Sequence, residues 1–249
     1  MENLTLGYAL SFIVGISLGT LGGGGSILTV PILVYVLKLD PKLSIALSLG
    51  IVGISGIFGL FNHLRLKNVL LKTSLLFGIF AMIGTSLGTK IAFYLSSKTQ
   101  LIIFAATMLM ASILMINKKE TKASDSDHSK NKILFVITSL GVGVMTGVIG
   151  VGGGFLIVPS LVILSGVPTK KAIGSSLAII SVNSLVGFYQ YQSVLDIPYS
   201  FMITFSLISI VGILTGSQFA KKISAAKLNK AFGYFLAIVG SFVLIKNSL

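Results

Sequence analysis

The stretch "GTLGGGGS", residues 19–26, and its echo "GVIGVGGGF", residues 147–155, decide how this chain folds. Each interrupts a mostly apolar run, at 4–37 and at 133–167. Glycine inside a helix costs about 1 kcal/mol relative to alanine. Three or four in close succession therefore predict a helix break within each run.

The surroundings say what kind of helix is broken. Of 249 residues, 54% are hydrophobic and 10% charged, and the mean hydropathy is +0.99. A soluble domain cannot hide that much apolar surface. Segments 43–61, 69–95, 99–116, 172–190, 198–220 and 228–246 approach the roughly 20 residues that a bilayer-crossing helix needs. Their apolar character is continuous rather than alternating, which points to helices and not to a barrel. Met1 to Thr5 holds one acid, Glu2, and no base, unlike the start of a signal peptide, so the first run is read as retained. The chain has no cysteine, which excludes disulfides and thiolate metal sites. The formal charge of +13 comes from lysines in short loops, where they act as topology signals. The bilayer is the expected partner, and nucleic acid is not.

The chain also repeats itself. Shifted by 128 positions without a gap, Gly15 falls on Gly143, Gly19 on Gly147, Gly22 on Gly150, and Gly24 and Gly25 on Gly152 and Gly153. Pro31 meets Pro159, Lys42 meets Lys170, Gly84 meets Gly212 and Gly88 meets Gly216. Such a register marks internal duplication. The expected organisation is an N-terminal repeat, 1–116, a polar cytoplasmic linker, 117–132, and a C-terminal repeat, 133–249.

Charge decides the topology. If each glycine-broken run folds back to the side it came from, one face receives only Lys38, Lys42, Lys90, Lys98 and Lys246, and the other fourteen of the nineteen basic residues lie opposite. If each run crosses once, the split is nearly even. Cytoplasmic loops collect Lys and Arg. Folding back is therefore expected, with the linker cytoplasmic, both termini outside and the two repeats inverted. Residues 26–37 are too few to span a hydrocarbon core, so each run reads as a hairpin of short helices meeting at a glycine turn, followed by three spanning helices.

Unwound backbone at membrane depth must face protein or a water-filled cavity. Broken helices where inverted repeats meet are how transporters build binding sites. A helix expected to start at Ile27, and another at Leu156, would aim free N–H groups at the gap, an environment suited to an anion. Candidate binding residues are Gly22, Gly23, Gly24, Gly25 and Ser26 in the first turn, and Gly150, Gly152, Gly153 and Gly154 in the second. Ser48, Ser176 and Asn183, polar groups inside apolar segments, complete the set. The spaced pairs Gly15/Gly19, Gly84/Gly88, Gly143/Gly147 and Gly212/Gly216 read instead as helix-packing positions. Tyr189, Gln190 and Asn62 read as interfacial, His63 as a surface histidine and Lys90 as a snorkelling base.

What is missing carries weight too. All six acids, Glu2, Asp40, Glu120, Asp125, Asp127 and Asp196, fall in termini, loops or the linker. An anion path free of carboxylates does not repel its cargo. There is no histidine pair, no cysteine and no internal carboxylate for catalysis, so no enzyme is expected and no cofactor or metal is called for.

The motifs "GTLGGGGSILTVPIL" and "GVIGVGGGFLIVPSLV", followed by "KLSIALSL" and "KKAIGSSL", resemble the sulfite exporter TauE/SafE family over essentially the whole chain. The resemblance implies a multi-pass plasma-membrane transporter of small sulfur-containing or organic anions, such as sulfite and organosulfonates. It maps onto Gly22 to Gly25 with Pro31, and Gly150 to Gly154 with Pro159. The expected mechanism is alternating access, the halves rocking about a site between the glycine turns. A passive anion channel, or a carrier of small carboxylates, is the alternative.

Overall fold

The computed structural model describes residues 2–117, 132–150 and 154–248. Most of the linker, and the candidate site residues Gly152 and Gly153, lie outside the described residues. The first repeat comprises α1 (Glu2–Leu21), α2 (Gly24–Pro31) continued by a π-helical turn (Ile32–Val36), α3 (Pro41–Arg65), α4 (Leu71–Tyr94) and α5 (Ser97–Ile116). The second comprises α6 (Lys132–Ile149), α7 (Gly154–Pro159) with its own π turn (Ser160–Leu164), α8 (Thr169–Gln192), α9 (Tyr199–Lys222) and α10 (Ala225–Ser248). There is no strand among the described residues. The helices α3, α4, α5, α8, α9 and α10 are long and apolar enough to cross a membrane.

The 128-residue register persists in the backbone. The helices α4 and α9 start and stop in step, as do the two π turns. Gly22 and Gly150 both take left-handed conformations, with φ of 73° and 70°, and so do Lys38 and Gly166 just past the π turns, at 55° and 64°. Local chemistry sets the boundaries. The Asp40 carboxylate accepts from the amides of Lys42 (2.9 Å) and Leu43 (3.1 Å) and caps α3, with Pro41 in its first turn. Ser96 accepts from Thr99 N–H (3.2 Å) and caps α5. Pro31 and Pro159 cannot donate to the carbonyls one turn back. The chain widens directly after each, so Leu37 N–H reaches Ile32 O (3.0 Å) and Ser165 N–H reaches Ser160 O (3.2 Å).

The first glycine-broken run does fold back. Gly7, near the start of α1, lies so close to Leu37 that an added Cβ would sit 2.8 Å from the leucine Cδ2. The two limbs are unequal, contrary to expectation. At 20 residues α1 is about 30 Å long, and only the returning limb is short. The returning helices also start earlier than expected, at Gly24 and Gly154 rather than at Ile27 and Leu156. Packing overrides propensity here: a Cβ on Gly25 would lie 2.5 Å from Val14 O and 2.6 Å from Leu18 Cβ, so only glycine lets α2 lie against α1.

Parity of the second run follows from the ends of the bundle. His63 and Asn68 at the α3–α4 corner, Lys170 at the start of α8, and Ser217 and Leu228 at the α9–α10 corner line one cavity. A single crossing by 133–167 would have put the α3–α4 corner and the start of α8 at opposite ends. This end is the basic end, where Arg65, Lys67, Lys72, Lys171, Lys222 and Lys227 also fall. At the other end Tyr8 meets Phe201, with ring centroids 5.9 Å apart, and Tyr35 bonds Asn247. Asp40 and Asp196 lie in that end's corners.

The repeats are interlaced. The first helix of each packs against the fourth of the other: α1 on α9, and α6 on α4. The spaced glycines are the reason. A Cβ on Gly15, Gly19, Gly212 or Gly216 would collide with the backbone of the opposing helix in the α1–α9 pair. Gly84, Gly88, Gly143 and Gly147 do the same between α4 and α6. The central pair is α3 with α8, largely buried, while α4 and α9 turn rows such as Leu75, Ile79, Ile83 and Ile203, Leu207, Val211 outward.

Candidate functional site

The two glycine turns meet. A Cβ on Gly23 would strike the carbonyl of Gly154, and a Cβ on Gly154 would lie 2.8 Å from Gly23 Cα. Two backbones touch where no side chain could intervene. Gly22 closes the end of α1 through Gly22 N–H to Leu18 O (2.9 Å), and Gly150 closes α6 through its N–H to Thr146 O (2.8 Å). No side chain caps the N-terminus of α2. The first amides of that helix have no carbonyl one turn back and carry its positive end.

The Ser26 hydroxyl, expected as a donor to cargo, donates here to Gly23 O (2.7 Å), and Thr29 donates to Gly25 O (2.9 Å). Both tie the turn to the helix that follows. Each turn docks on the opposite repeat. Gly22 lies against Ile173 and Ser176 of α8, with the Ser176 Oγ 2.8 Å from where a Cβ would stand. Gly150 lies against Ile45 of α3, one turn from Ser48. The structure thus brings Ser176 to the first turn and sets Ser48 beside the residue that touches the second.

The polar candidates differ in how they are satisfied. Ser176 donates to Ile173 O (2.8 Å). The hydroxyls of Ser44, Ser48 and Ser184 are buried without a hydrogen-bond partner. Asn183 is fully buried, and both its amide nitrogen and its amide oxygen lack partners. Such a group costs about 1–3 kcal/mol. Its counterpart in the register, Ser55, donates to Ser206 O in α9 (3.4 Å). The α4 residue that corresponds to Ser206 is Gly78, which is buried, yet an added Cβ there would meet nothing within 4 Å. The second repeat thus leaves a polar amide unmet, and its structural partner position lies beside open space.

Other expectations change. His63 is not a surface histidine, for only 3% of it is exposed. Its place at the end of α3, after Asn62, looked peripheral in sequence, but the α3–α4 corner tucks beneath α8, where Gly174 leaves room for it. Asn62 is committed to Ser217 of α9. Tyr189 is exposed, as an interfacial residue should be, and Lys90 is exposed as well.

Comparison with known proteins bears on this arrangement. Residues 8–243 match the family described as "Sulfite exporter TauE/SafE". A protein of Xylella fastidiosa named "Probable membrane transporter protein" is 31% identical over 239 residues, spanning 93% of this chain and 91% of its own. A protein of the same description from Methanocaldococcus jannaschii is 26% identical, over 95% of this chain and 93% of its own. YdhB of Bacillus subtilis, also described as a probable membrane transporter, is 23% identical over 94% and 97%. No solved structure matches the chain significantly.

Proposed function

The chain belongs to the sulfite exporter TauE/SafE family of membrane transporters, and from that premise we propose that it carries small oxyanions, sulfite or organosulfonates, outward by alternating access. The observation that carries the reading is the meeting of Gly23 with Gly154 deep in the bundle. In the proposed cycle this seam parts, and the amides of Gly24, Gly25 and Ser26 hold the anion. Ser48, Ser176 and Asn183 supply further polar contacts, and the orphaned Asn183 amide gains the partner it now lacks. Glycine is needed in the turns because a side chain would hold cargo off the backbone.

In the proposed cycle the moving bodies differ from the two sequence halves. The glycine seams fix α1 to α9 and α4 to α6, so each body contains helices from both repeats. The repeats are inverted in the membrane, with the basic end cytoplasmic. A chain without carboxylates in its spanning helices carries charge rather than protons. Export then draws on the membrane potential, worth about 2.3 kcal/mol per charge per 100 mV. The protein is a carrier and performs no chemistry on its cargo.

Proteoliposomes loaded with radiolabelled sulfite test this. Efflux should saturate, show counterflow and rise with imposed voltage, and Gly24→Leu should abolish it while the protein remains folded. Wild-type efflux from Gly24→Leu would remove the site from the turn. Large unitary currents would make the protein a channel. Flux that ignores voltage but collapses without a pH gradient would establish proton coupling.

A further inference from the structure

The cavity at the basic end has a volume of ≈ 280 Å³. That is small for a drug-sized ligand and adequate for a hydrated ion. It is lined by His63, Asn68, Lys170 and Ser217 together with apolar residues that include Ile173. Among the described residues no carboxylate lines it. Ser217 is itself held in place, donating to Leu214 O (3.0 Å) and receiving from Asn62. Ile173 has a second role, for its Cα lies 3.0 Å from where a Cβ on Gly22 would stand. One residue therefore separates this cavity from the first glycine turn.

The 128-residue register sets a counterpart at the other end, and that position is filled. His63 corresponds to Tyr191, which is 1% exposed and packs against Phe93 with ring centroids 5.1 Å apart. Leu228 corresponds to Gln100, also 1% exposed, whose amide donates to Ala92 O (3.1 Å) and Val148 O (3.3 Å). Asn68 corresponds to Asp196, an acid where the basic end has an amide. Lys170 corresponds to Lys42, so the lysine is kept at both ends, and the difference is an open recess at one end against a packed plug with a carboxylate nearby at the other.

We propose that the recess lined by His63, Asn68 and Lys170 is an oxyanion-binding intake subsite, distinct from the glycine turns, whose counterpart position at the other end is filled by Tyr191 and Gln100. It rests on the transport reading above and adds to it a place where cargo is gathered before it reaches the turn. Anions are gathered at the basic end, pass Ile173 and reach the first turn. At the other end the corresponding volume is filled by Tyr191 and Gln100.

The chain has two histidines, His63 and His128, so a His128→Gln background leaves one imidazole to observe. Histidine-labelled protein of that background, in nanodiscs of zwitterionic lipid, would be titrated with sulfate while the His63 resonances are followed by NMR. A saturable shift is expected, with Lys170→Gln raising the half-saturating concentration at least tenfold. A second arm uses nanodiscs containing phosphatidylglycerol without sulfate, to ask whether a lipid phosphate fills the recess. Resonances that sulfate leaves unmoved, that move equally in Lys170→Gln, or that respond only to the anionic lipid would overturn the subsite. The two readings fail separately. A silent His63 with transport lost in Gly24→Leu leaves the turn site standing without the intake. A responsive His63 with wild-type transport in Gly24→Leu keeps the intake and removes the turn site.

Discussion

The two ends of this bundle are built on one backbone plan and finished with different chemistry. At the basic end His63 borders a recess, and at the other end Tyr191 and Gln100 occupy the corresponding volume. Along the middle, Ser55 finds a carbonyl while Asn183 finds nothing. The 128-residue register runs through both halves, and the differences laid over it make the two ends chemically unlike.

The most severe way to break that contrast is Tyr191→Ala. Emptying a packed aromatic site typically costs about 3–5 kcal/mol. Denaturant unfolding in detergent should show a loss of that order. A loss below about 1 kcal/mol would mean that the plug is not a packed element at all. Asn183→Leu follows, and its two effects should run in opposite directions. Replacing an unpartnered buried amide with an apolar group of similar size should raise stability by about 1–3 kcal/mol, read from the unfolding midpoint. Sulfite efflux should fall at the same time, and unchanged efflux would exclude Asn183 from cargo contact. His63→Tyr makes the basic end resemble its opposite. Efflux should drop about tenfold, equivalent to about 1.4 kcal/mol, with little change in melting temperature. Ser55→Ala is the mildest change. It removes one long hydrogen bond, should lower stability by about 0.5–1.5 kcal/mol and should leave efflux intact. An effect as large as that of Asn183→Leu on transport would erase the distinction between the repeats.

Much of the architecture was legible in the residues. Runs of glycine have one meaning in a helix, and α1 breaks at Gly22–Gly23 and α6 ends before the left-handed Gly150, as the glycines require. The spaced glycines were readable as seams because close backbone approach demands them at one-turn intervals. Three things were not readable. The π turns depend on how the chain resolves a proline within a buried helix, and Pro31 alone does not say whether the helix kinks, stops or widens. The burial of His63 depends on where the α3–α4 corner lands against α8, a long-range contact that no local pattern encodes. The Ser26 hydroxyl has two possible partners, cargo or the Gly23 carbonyl, and only the helix geometry of this conformation selects the second.

The glycine seams between repeats also constrain how the protein is made. When α4 leaves the ribosome, the helix that must lie along Gly84 and Gly88 has not been synthesised, and α1 waits longer still for Gly212 and Gly216. The first half of the polypeptide must therefore persist in the bilayer with two bare grooves, exposed to association with other nascent helices. A chain terminated after α5 would leave both grooves unfilled, whereas two halves produced as separate polypeptides would still carry both faces of each seam.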